Sequence, residues 1–337
     1  MQWIEAVPNF SEGRDVESIE AIAQAMRGVP GAHVLHVDSE RDTHRTVMTL
    51  MGHSSAVEEA LFRGIRCSLE HIDLCEHAGS HPRMGAADVI PFVPWGEGVQ
   101  MAEAVSAAHR LGQRVGSDLG LPGWFYGAAA LSDSNRYLHD IRRGQFEGLS
   151  KKLATKQVDF GPQEIHPTGG ASAIGARGVL VAMNCTLDTE DVRLAKALAA
   201  RIRELQHVRR STDGEVTRRE SIGLPGLRAL GWFSERDGRA QVTMNLTDVQ
   251  RSPPHVVFEA LRKLGDLTRT QIVGTELIGM IPRSLLLQAG AAMDPSASDA
   301  VAAGIRGLRL GVLHDFQPQN RIVERAMEAQ GLVDFPS

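Results

Sequence analysis

The sequence predicts an α/β protein made of two similar subdomains, each a mixed β-sheet covered by helices, an α+β sandwich built twice. Three observations predict it. Short apolar runs alternate with apolar stripes of helical period along most of the chain. A long, glycine-rich and basic stretch, 135–177, interrupts that alternation near the middle, and loops of that length are usually functional or linkers. The 337 residues also exceed what one hydrophobic core usually organises. The subdomains are therefore expected at 1–176 and 177–337.

In the first half, Trp3–Val7 reads as a strand ending at Pro8-Asn9, and Ser11 as the cap of a helix carrying Ile19, Ile22, Ala23 and Met26. His33–Asp38 and Arg45–Met51 read as strands joined by the polar loop Ser39–His44. A helix bearing Val57, Ala60, Leu61, Gly64 and Ile65 follows, then strand Val89–Val93, a helix with Met101, Ala104, Val105 and Ala108, and strand Gly123–Tyr126. The second half restarts with strand Gly178–Asn184 and a helix around Asp191–Leu205. A charged loop then holds Arg209, Arg210, Asp213, Glu215, Arg218 and Arg219. Leu227–Phe233 and Gln241–Leu246 flank Asp237-Gly238 as a β-hairpin. Ser252-Pro253-Pro254 opens a helix, Thr270–Val273 and Leu277–Ile281 are the last strands, and the remainder is helical. Asp88–Pro94 faintly echoes Glu276–Pro282, too briefly to establish a duplication.

A net charge of −5 offers no general attraction to nucleic acid or an anionic membrane. No window approaches the roughly 18 apolar residues of a membrane span, and Met1–Glu5 lacks the features of a signal peptide. Cys67, Cys75 and Cys185 form neither an even disulfide set nor a close metal pair. They fit a reducing, cytoplasmic setting. No phosphate loop or dinucleotide fingerprint occurs.

Chemistry concentrates in Gly79-Ser80-His81-Pro82-Arg83-Met84-Gly85-Ala86-Ala87-Asp88, which feeds an apolar strand. Gly79, Pro82 and Gly85 oppose a regular helix there. An imidazole, a cation and a carboxylate thus share a rigid loop, and histidine exchanges protons near neutrality. The alternative is a structural turn with a surface histidine. His77 and His81 have the i, i+4 spacing of a zinc pair, but Gly79 and Pro82 spoil that helix and no third ligand is fixed. The loop from Asp38 to His44 and Arg45 can gather a carboxylate, an imidazole and a guanidinium, or simply form a turn and an ion pair. Gly169, Gly170, Gly175 and Gly178 would let backbone approach a flat ligand, or serve as a linker. The Arg209–Arg219 segment is either solvated or a landing site for a polycarboxylate tail.

Val7-Pro8-Asn9-Phe10-Ser11-Glu12-Gly13-Arg14 together with His81-Pro82-Arg83-Met84-Gly85-Ala86-Ala87-Asp88-Val89 resembles the glutamate formiminotransferases, folate-dependent enzymes of histidine breakdown and one-carbon metabolism. The likeness runs on through Lys151-Lys152-Leu153, Asp159-Phe160-Gly161-Pro162, Gly175-Ala176-Arg177, Gly231-Trp232, Gly274-Thr275-Glu276-Leu277, Phe316-Gln317-Pro318 and Arg321-Ile322-Val323-Glu324, nearly the whole chain. The resemblance implies two α/β subdomains whose sheets face a folate groove or tunnel, a homodimer, and tetrahydrofolate as co-substrate without a metal. It implies transfer of a formimino group from N-formiminoglutamate to N5 of tetrahydrofolate. Formyl exchange between 5-formyltetrahydrofolate and glutamate is the variant suggested by some bacterial relatives.

By position, His81 matches the family's catalytic histidine. Gly161, Pro162, Gln163, Glu164, Ile165, His166, Pro167, Thr168, Gly169 and Gly170 match one folate-binding segment. Ile222, Gly223, Leu224, Pro225, Gly226, Leu227, Arg228, Ala229, Leu230 and Gly231 fall where the other lies. Asn9, Asp38, His44, Arg45, Arg83 and Asp88 are the substrate-binding candidates. Asp38 or Asp88 is expected to steady the positive amidine, and Arg45 or Arg83 to grip a carboxylate. The sequence departs from the family where His44 replaces an asparagine, Ala128 a glutamate and Thr186 a second asparagine. Leu224–Leu227 stands where a lysine-rich run is common. With no cyclodeaminase domain in the sequence, the product is expected to need a separate enzyme. A one-carbon or amidine transferase with another donor or acceptor, and a non-enzymatic folate-binding protein, are the alternatives.

Overall fold

A computed structural model describes every residue except 1–2, Ser80, Glu97, 211–215 and 333–337, with the side chains of 206–210 and 216–221 also outside the description. It has two compact units, Met1–Gly178 and Val179–Gln330.

The first unit begins with β1 (Trp3–Ala6) and, past Pro8, β2 (Asn9–Phe10). Proline has no N–H for a ladder, so the strand breaks there, and both pieces lie between the same two neighbours. Helix α1 (Val16–Arg27) is capped by the Asp15 carboxylate, which accepts from Glu17 N–H. Ser11, expected as that cap, instead donates its hydroxyl to Gly85 C=O at 2.7 Å and ties the first motif to the His81 segment. Then come β3 (Ala32–Glu40), β4 (Arg45–His53), α2 (Ser54–His71), β5 (Ala87–Trp95), α3 (Met101–Leu119) and β6 (Gly123–Gly127). The 135–177 stretch holds α4 (Leu138–Arg142), α5 (Leu149–Leu153) and β7 (Ser172–Ala176).

The seven strands run β3-β4-(β1, β2)-β5-β7-β6, with β7 parallel to both β5 and β6. Helices α1–α3 bury Ile22, Leu61 and Leu111 against Ile4, Phe10, Met48, Leu50, Ile90 and Phe92. A separate cluster of Met84, Val89, Trp124, Tyr126, Ile141, Leu149, Leu153 and Ala173 packs α4 and α5 with the sheet's other side chains. Strand β7 corrects the expectation of an irregular stretch reaching to Arg177. Its Ser172-Ala173-Ile174-Gly175-Ala176 lacks the β-branched run that marks a strand, yet all five residues are buried.

The second unit contains β8 (Val181–Leu187), α6 (Val192–Ile202), β9 (Leu205–Arg210), β10 (Val216–Ile222), β11 (Leu227–Ser234), β12 (Arg239–Leu246), α7 (Pro254–Thr268), β13 (Ile272–Ile278), α8 (Arg283–Met293), α9 (Ala300–Gly307), α10 (Pro318–Arg321) and α11 (Val323–Ala329). A four-stranded antiparallel sheet, β11-β12-β8-β13, carries the core with Val181, Met183, Val242, Met244, Leu198 and Leu261. The expected hairpin is present and Pro254 starts α7. Two expectations need correction. The charged loop is a pair of antiparallel strands, β9 and β10; Asp213 and Glu215 lie outside the described residues, as do the side chains of Arg209, Arg210, Arg218 and Arg219. The two last strands are one, β13, whose register shift between Ile272 and Gly274 interrupts its alternation. Among the described residues no helix is long and apolar enough to cross a membrane.

Candidate functional site

The site grows from an irregularity in β5. Asn9 pairs with Val89 and Phe10 with Ala87, so Asp88 is the extra residue of a bulge. Bulges re-aim side chains. Ala87 and Ile90 remain in the helix-covered core, and Val89 joins the cluster that holds Trp124 and Tyr126. Asp88 is fully buried. Its Oδ1 accepts from Met84 N–H at 2.9 Å, and its Oδ2 accepts from Arg45 Nη1 at 2.7 Å and Arg142 Nη2 at 2.9 Å.

Arg45 opens β4 and is itself buried. Its Nε donates to Asn9 Oδ1 at 2.9 Å, and Asn9 Nδ2 donates to Val7 C=O at 2.7 Å. Burial pulls the guanidinium down to about 10, against the attraction of Asp88, and it stays charged at neutral pH. For Asp88 burial alone would raise the carboxyl; Arg142 and Arg45 overcome that and hold it below the usual carboxylate range. One anion therefore serves two cations.

His81 stands beside this group. Its Nδ1 lies 2.8 Å from Pro82 C=O and 3.2 Å from Arg45 Nη1. A carbonyl only accepts, so the shorter contact places the proton on Nδ1 and leaves Nε2 as the bare nitrogen. Arg45 is then a close cation rather than a donor to the ring. Burial, Arg45 and Arg142 push the imidazole down to about 3, with Asp88 opposing, so the ring is neutral at pH 7. A neutral ring with a free Nε2 can take a proton and hand it back.

The other candidates separate. Arg83 turns away from Asp88: both terminal nitrogens reach Glu147, at 2.9 and 2.7 Å, and Nε donates to His77 Nδ1 at 3.1 Å. His77 Nε2–H donates to His44 C=O at 3.0 Å. His44, held at φ 51, sets its ring edge-on to His77 with centroids 4.2 Å apart, and its Nε2 is 3.4 Å from Glu12 Oε1. Burial is the main cause lowering the His44 imidazole, with Glu12 opposing. Gly79 makes this packing feasible, because a Cβ there would lie 2.7 Å from His44 Cβ. Asp38 pairs with Val47, as Asn9 does from the other side of β4. Directly paired residues share a face, so Asp38, Val47 and Asn9 lie on Arg45's side of the sheet; the Asp38 carboxylate is 3.8 Å from His36 Nε2.

Of the two expected folate segments, 161–170 lies against the His81 motif. Ala86 N–H donates to Gly169 C=O and Ala171 N–H to Met84 C=O, both at 3.0 Å. A Cβ on Gly170 would meet Met84 O at 2.1 Å, so glycine allows that approach, at φ +69. Gln163 fixes the start of the segment by donating to Leu153 and Lys156 carbonyls. Segment 222–231 belongs to the second unit and spans the β10–β11 turn, with Leu227 and Ala229 in the core and Arg228 and Leu230 exposed. Ser80 lies outside the described residues.

Three residues absent from the candidates complete the cluster: Arg142 at the end of α4, Tyr126 at the end of β6, and Arg177 after β7. Gly175 leaves room for the Tyr126 ring, since a Cβ there would come 2.5 Å from its Cδ1. Burial raises the phenol above its usual range against the pull of the Arg177 and Arg142 cations, so it is an uncharged hydroxyl. Position at the ends of parallel strands was the available signal for Tyr126 and Arg177. For Arg142 it was only the length of the segment that contains it. Two open surface depressions, about 600 Å³ along α3 (His109–Ser117) and about 440 Å³ at Asp188–Glu190 and Asp237–Arg239, include none of these residues. Among the described residues no group of three or more His, Cys, Asp or Glu is placed to hold a metal.

Residues 3–177 match the profile of the formiminotransferase domain, N-terminal subdomain, and 182–328 that of the formiminotransferase domain. A glutamate formimidoyltransferase of Streptococcus pyogenes is 32% identical over 84% of this chain and 90% of its own length. One from Thermoplasma acidophilum is 35% identical over 85% and 90%. A formimidoyltransferase-cyclodeaminase of Gallus gallus is 37% identical over 99% of this chain, which spans 62% of that relative's length.

Proposed function

The chain belongs to the formiminotransferase family, and from that premise we propose that it moves a formimino group from N-formiminoglutamate to N5 of tetrahydrofolate. The observation that carries the mechanism is the contact of His81 Nδ1 with Pro82 C=O at 2.8 Å, which leaves Nε2 without a proton, while burial, Arg45 and Arg142 keep the ring neutral.

N5 attacks the amidinium carbon and forms a tetrahedral adduct that bears an extra proton on N5. His81 Nε2 accepts that proton. The resulting imidazolium donates it to the glutamate nitrogen as the carbon–nitrogen bond breaks, leaving the amidinium on N5 and glutamate as a free amine. One imidazole thus serves both steps, and such assistance contributes about 10²–10⁴-fold. Alignment of the reactants contributes up to about 7–11 kcal/mol, for which segments 161–170 and 222–231 and the substrate contacts of Asn9, Asp38 and His44 are proposed, with Arg45 holding the charge environment of the ring. The imidazolium forms 3.2 Å from Arg45, so it is a strong acid when the leaving nitrogen needs a proton; Asp88 limits that repulsion. In the same proposal tetrahydrofolate is a co-substrate, proton transfer by one imidazole asks for no metal, and the enzyme is a cytoplasmic homodimer acting in histidine breakdown.

The test is to supply the purified chain with N-formiminoglutamate and tetrahydrofolate and convert the product with acid to absorbing methenyl-tetrahydrofolate. Rapid appearance of that chromophore, lost in a folded His81→Ala variant, is expected. No product from the unaltered chain would overturn the activity, and undiminished turnover by the variant would remove His81 from it.

A further inference from the structure

The group around Asp88 carries more positive than negative charge. Arg45, Arg142 and Arg177 surround it or its Tyr126 neighbour, and among the described residues Asp88 is the only carboxylate that pairs with any of the three. Arg45 and Tyr126 are under 9% exposed, and Arg142 Nε is a buried donor with no partner among the described residues. Unsatisfied buried donors and unpaired buried cations are costly, and a protein retains them where a ligand completes them. Three successive contacts of 3.2, 2.7 and 2.9 Å join His81 to Arg142 through Arg45 and Asp88, so the arginine belongs to the same connected group as the imidazole.

We propose that Arg142 and Arg177, with the Tyr126 hydroxyl, form an anion subsite that takes a carboxylate of the amino-dicarboxylate substrate and sets which donor is accepted. Resting on the proposed activity, it reassigns the carboxylate grip. Arg83 cannot supply it, because Glu147 and His77 already hold its Nε and both terminal nitrogens. Arg45 is occupied by Asp88 and Asn9. Arg142 spends one terminal nitrogen on Asp88 and keeps its Nε edge. Arg177 has one nitrogen on Gly178 C=O at 2.9 Å and follows by two residues Gly175, which pairs with Tyr126 and lies under its ring. Tyr126, an uncharged hydroxyl, adds a neutral donor. The acceptor demanded by such a set is planar and anionic.

Steady-state kinetics of the full chain, Arg142→Gln and Arg177→Gln are compared on N-formiminoglutamate and its two monoamides. The unaltered protein is expected to prefer the dicarboxylate over one monoamide, and each variant to reduce that preference roughly 10- to 100-fold with the tetrahydrofolate KM unchanged. Arg177 makes no contact with Asp88 in the structure, so its variant stands if loss of Arg142 unfolds the protein. Equal loss on acid and amides, or an unchanged preference in both variants, overturns the subsite. If the unaltered chain turns over none of these compounds, calorimetric binding of L-glutamate against L-glutamine replaces turnover. Discrimination lost in the variants then sustains the subsite while the proposed activity fails, and absence of discrimination overturns the subsite too.

Discussion

Replacing Asp88 with asparagine isolates the charge at the centre of the site. The side chain is fully buried and accepts three hydrogen bonds, from Met84 N–H, Arg45 and Arg142. Asparagine keeps the shape but has one acceptor oxygen. If that oxygen faces the arginines, its NH2 opposes Met84 N–H; if it faces Met84, the NH2 opposes two guanidiniums. Either way a buried donor is stranded, at about 1–3 kcal/mol, and two cations lose their counter-charge. Removing one partner of a buried ion pair costs about 3–5 kcal/mol, and because the two penalties describe the same loss they are not added. In a unit of this size the larger figure shifts Tm by roughly 6–20 °C. Tryptophan fluorescence reads it, since Trp3, Trp95 and Trp124 of the four tryptophans lie in the first unit. The sign with pH follows from the lowered Asp88 carboxyl. Its stabilisation is present above the unfolded carboxylate range near pH ~4 and fades as acid protonates the folded form. The gap between the two proteins therefore stays constant at neutral pH and closes only in acid. A loss below about 1 kcal/mol at pH 7, or a gap that closes between pH 6 and 8, would refute the two-cation arrangement.

The acid limb of kcat/KM should fall well below the usual imidazole range near ~6.5, because burial, Arg45 and Arg142 keep His81 unprotonated. Arg142→Gln should move that limb upward, and a limb already near 6.5 in the unaltered protein contradicts the arrangement. Gly79→Ala should cost about 1–3 kcal/mol through overpacking, since its Cβ would meet Thr43 O at 2.6 Å and His44 Cβ at 2.7 Å. Urea unfolding measures it, and a neutral effect would mean the 77–81 segment yields freely. In a thiol titration Cys75, exposed, should react first and Cys67 more slowly; Cys185, buried and pushed up to about 12, should react only on unfolding.

What sequence could disclose about this site depended on where each residue's partner lies along the chain. Strands and helices with their own apolar period, such as β4, α2 and α3, are legible because the pattern that defines them is local. The His81 motif is legible for the same reason, since its glycines and proline constrain the very segment that bears the imidazole. The motif nonetheless misleads about its own neighbours. Asp88 does act on the imidazole, but through partners that the motif does not contain, since the bulge turns its carboxylate toward Arg45, 43 residues earlier, and Arg142, 54 residues later. Arg83 is drawn to Glu147, 64 residues on. Neither pairing leaves a local mark, and Arg142 sits in a helix of five residues with too few turns to show a period. Strand β7 escapes for a complementary reason. Gly175 is selected by the Tyr126 ring above it and by close approach to the Tyr126 carbonyl, so its composition reports what presses on the strand rather than the strand itself. The same logic bears on His44: glycine at 79 and the His77 ring accommodate an imidazole at 44, and the position is therefore tuned by packing from a segment 33 residues away as much as by any substrate it meets.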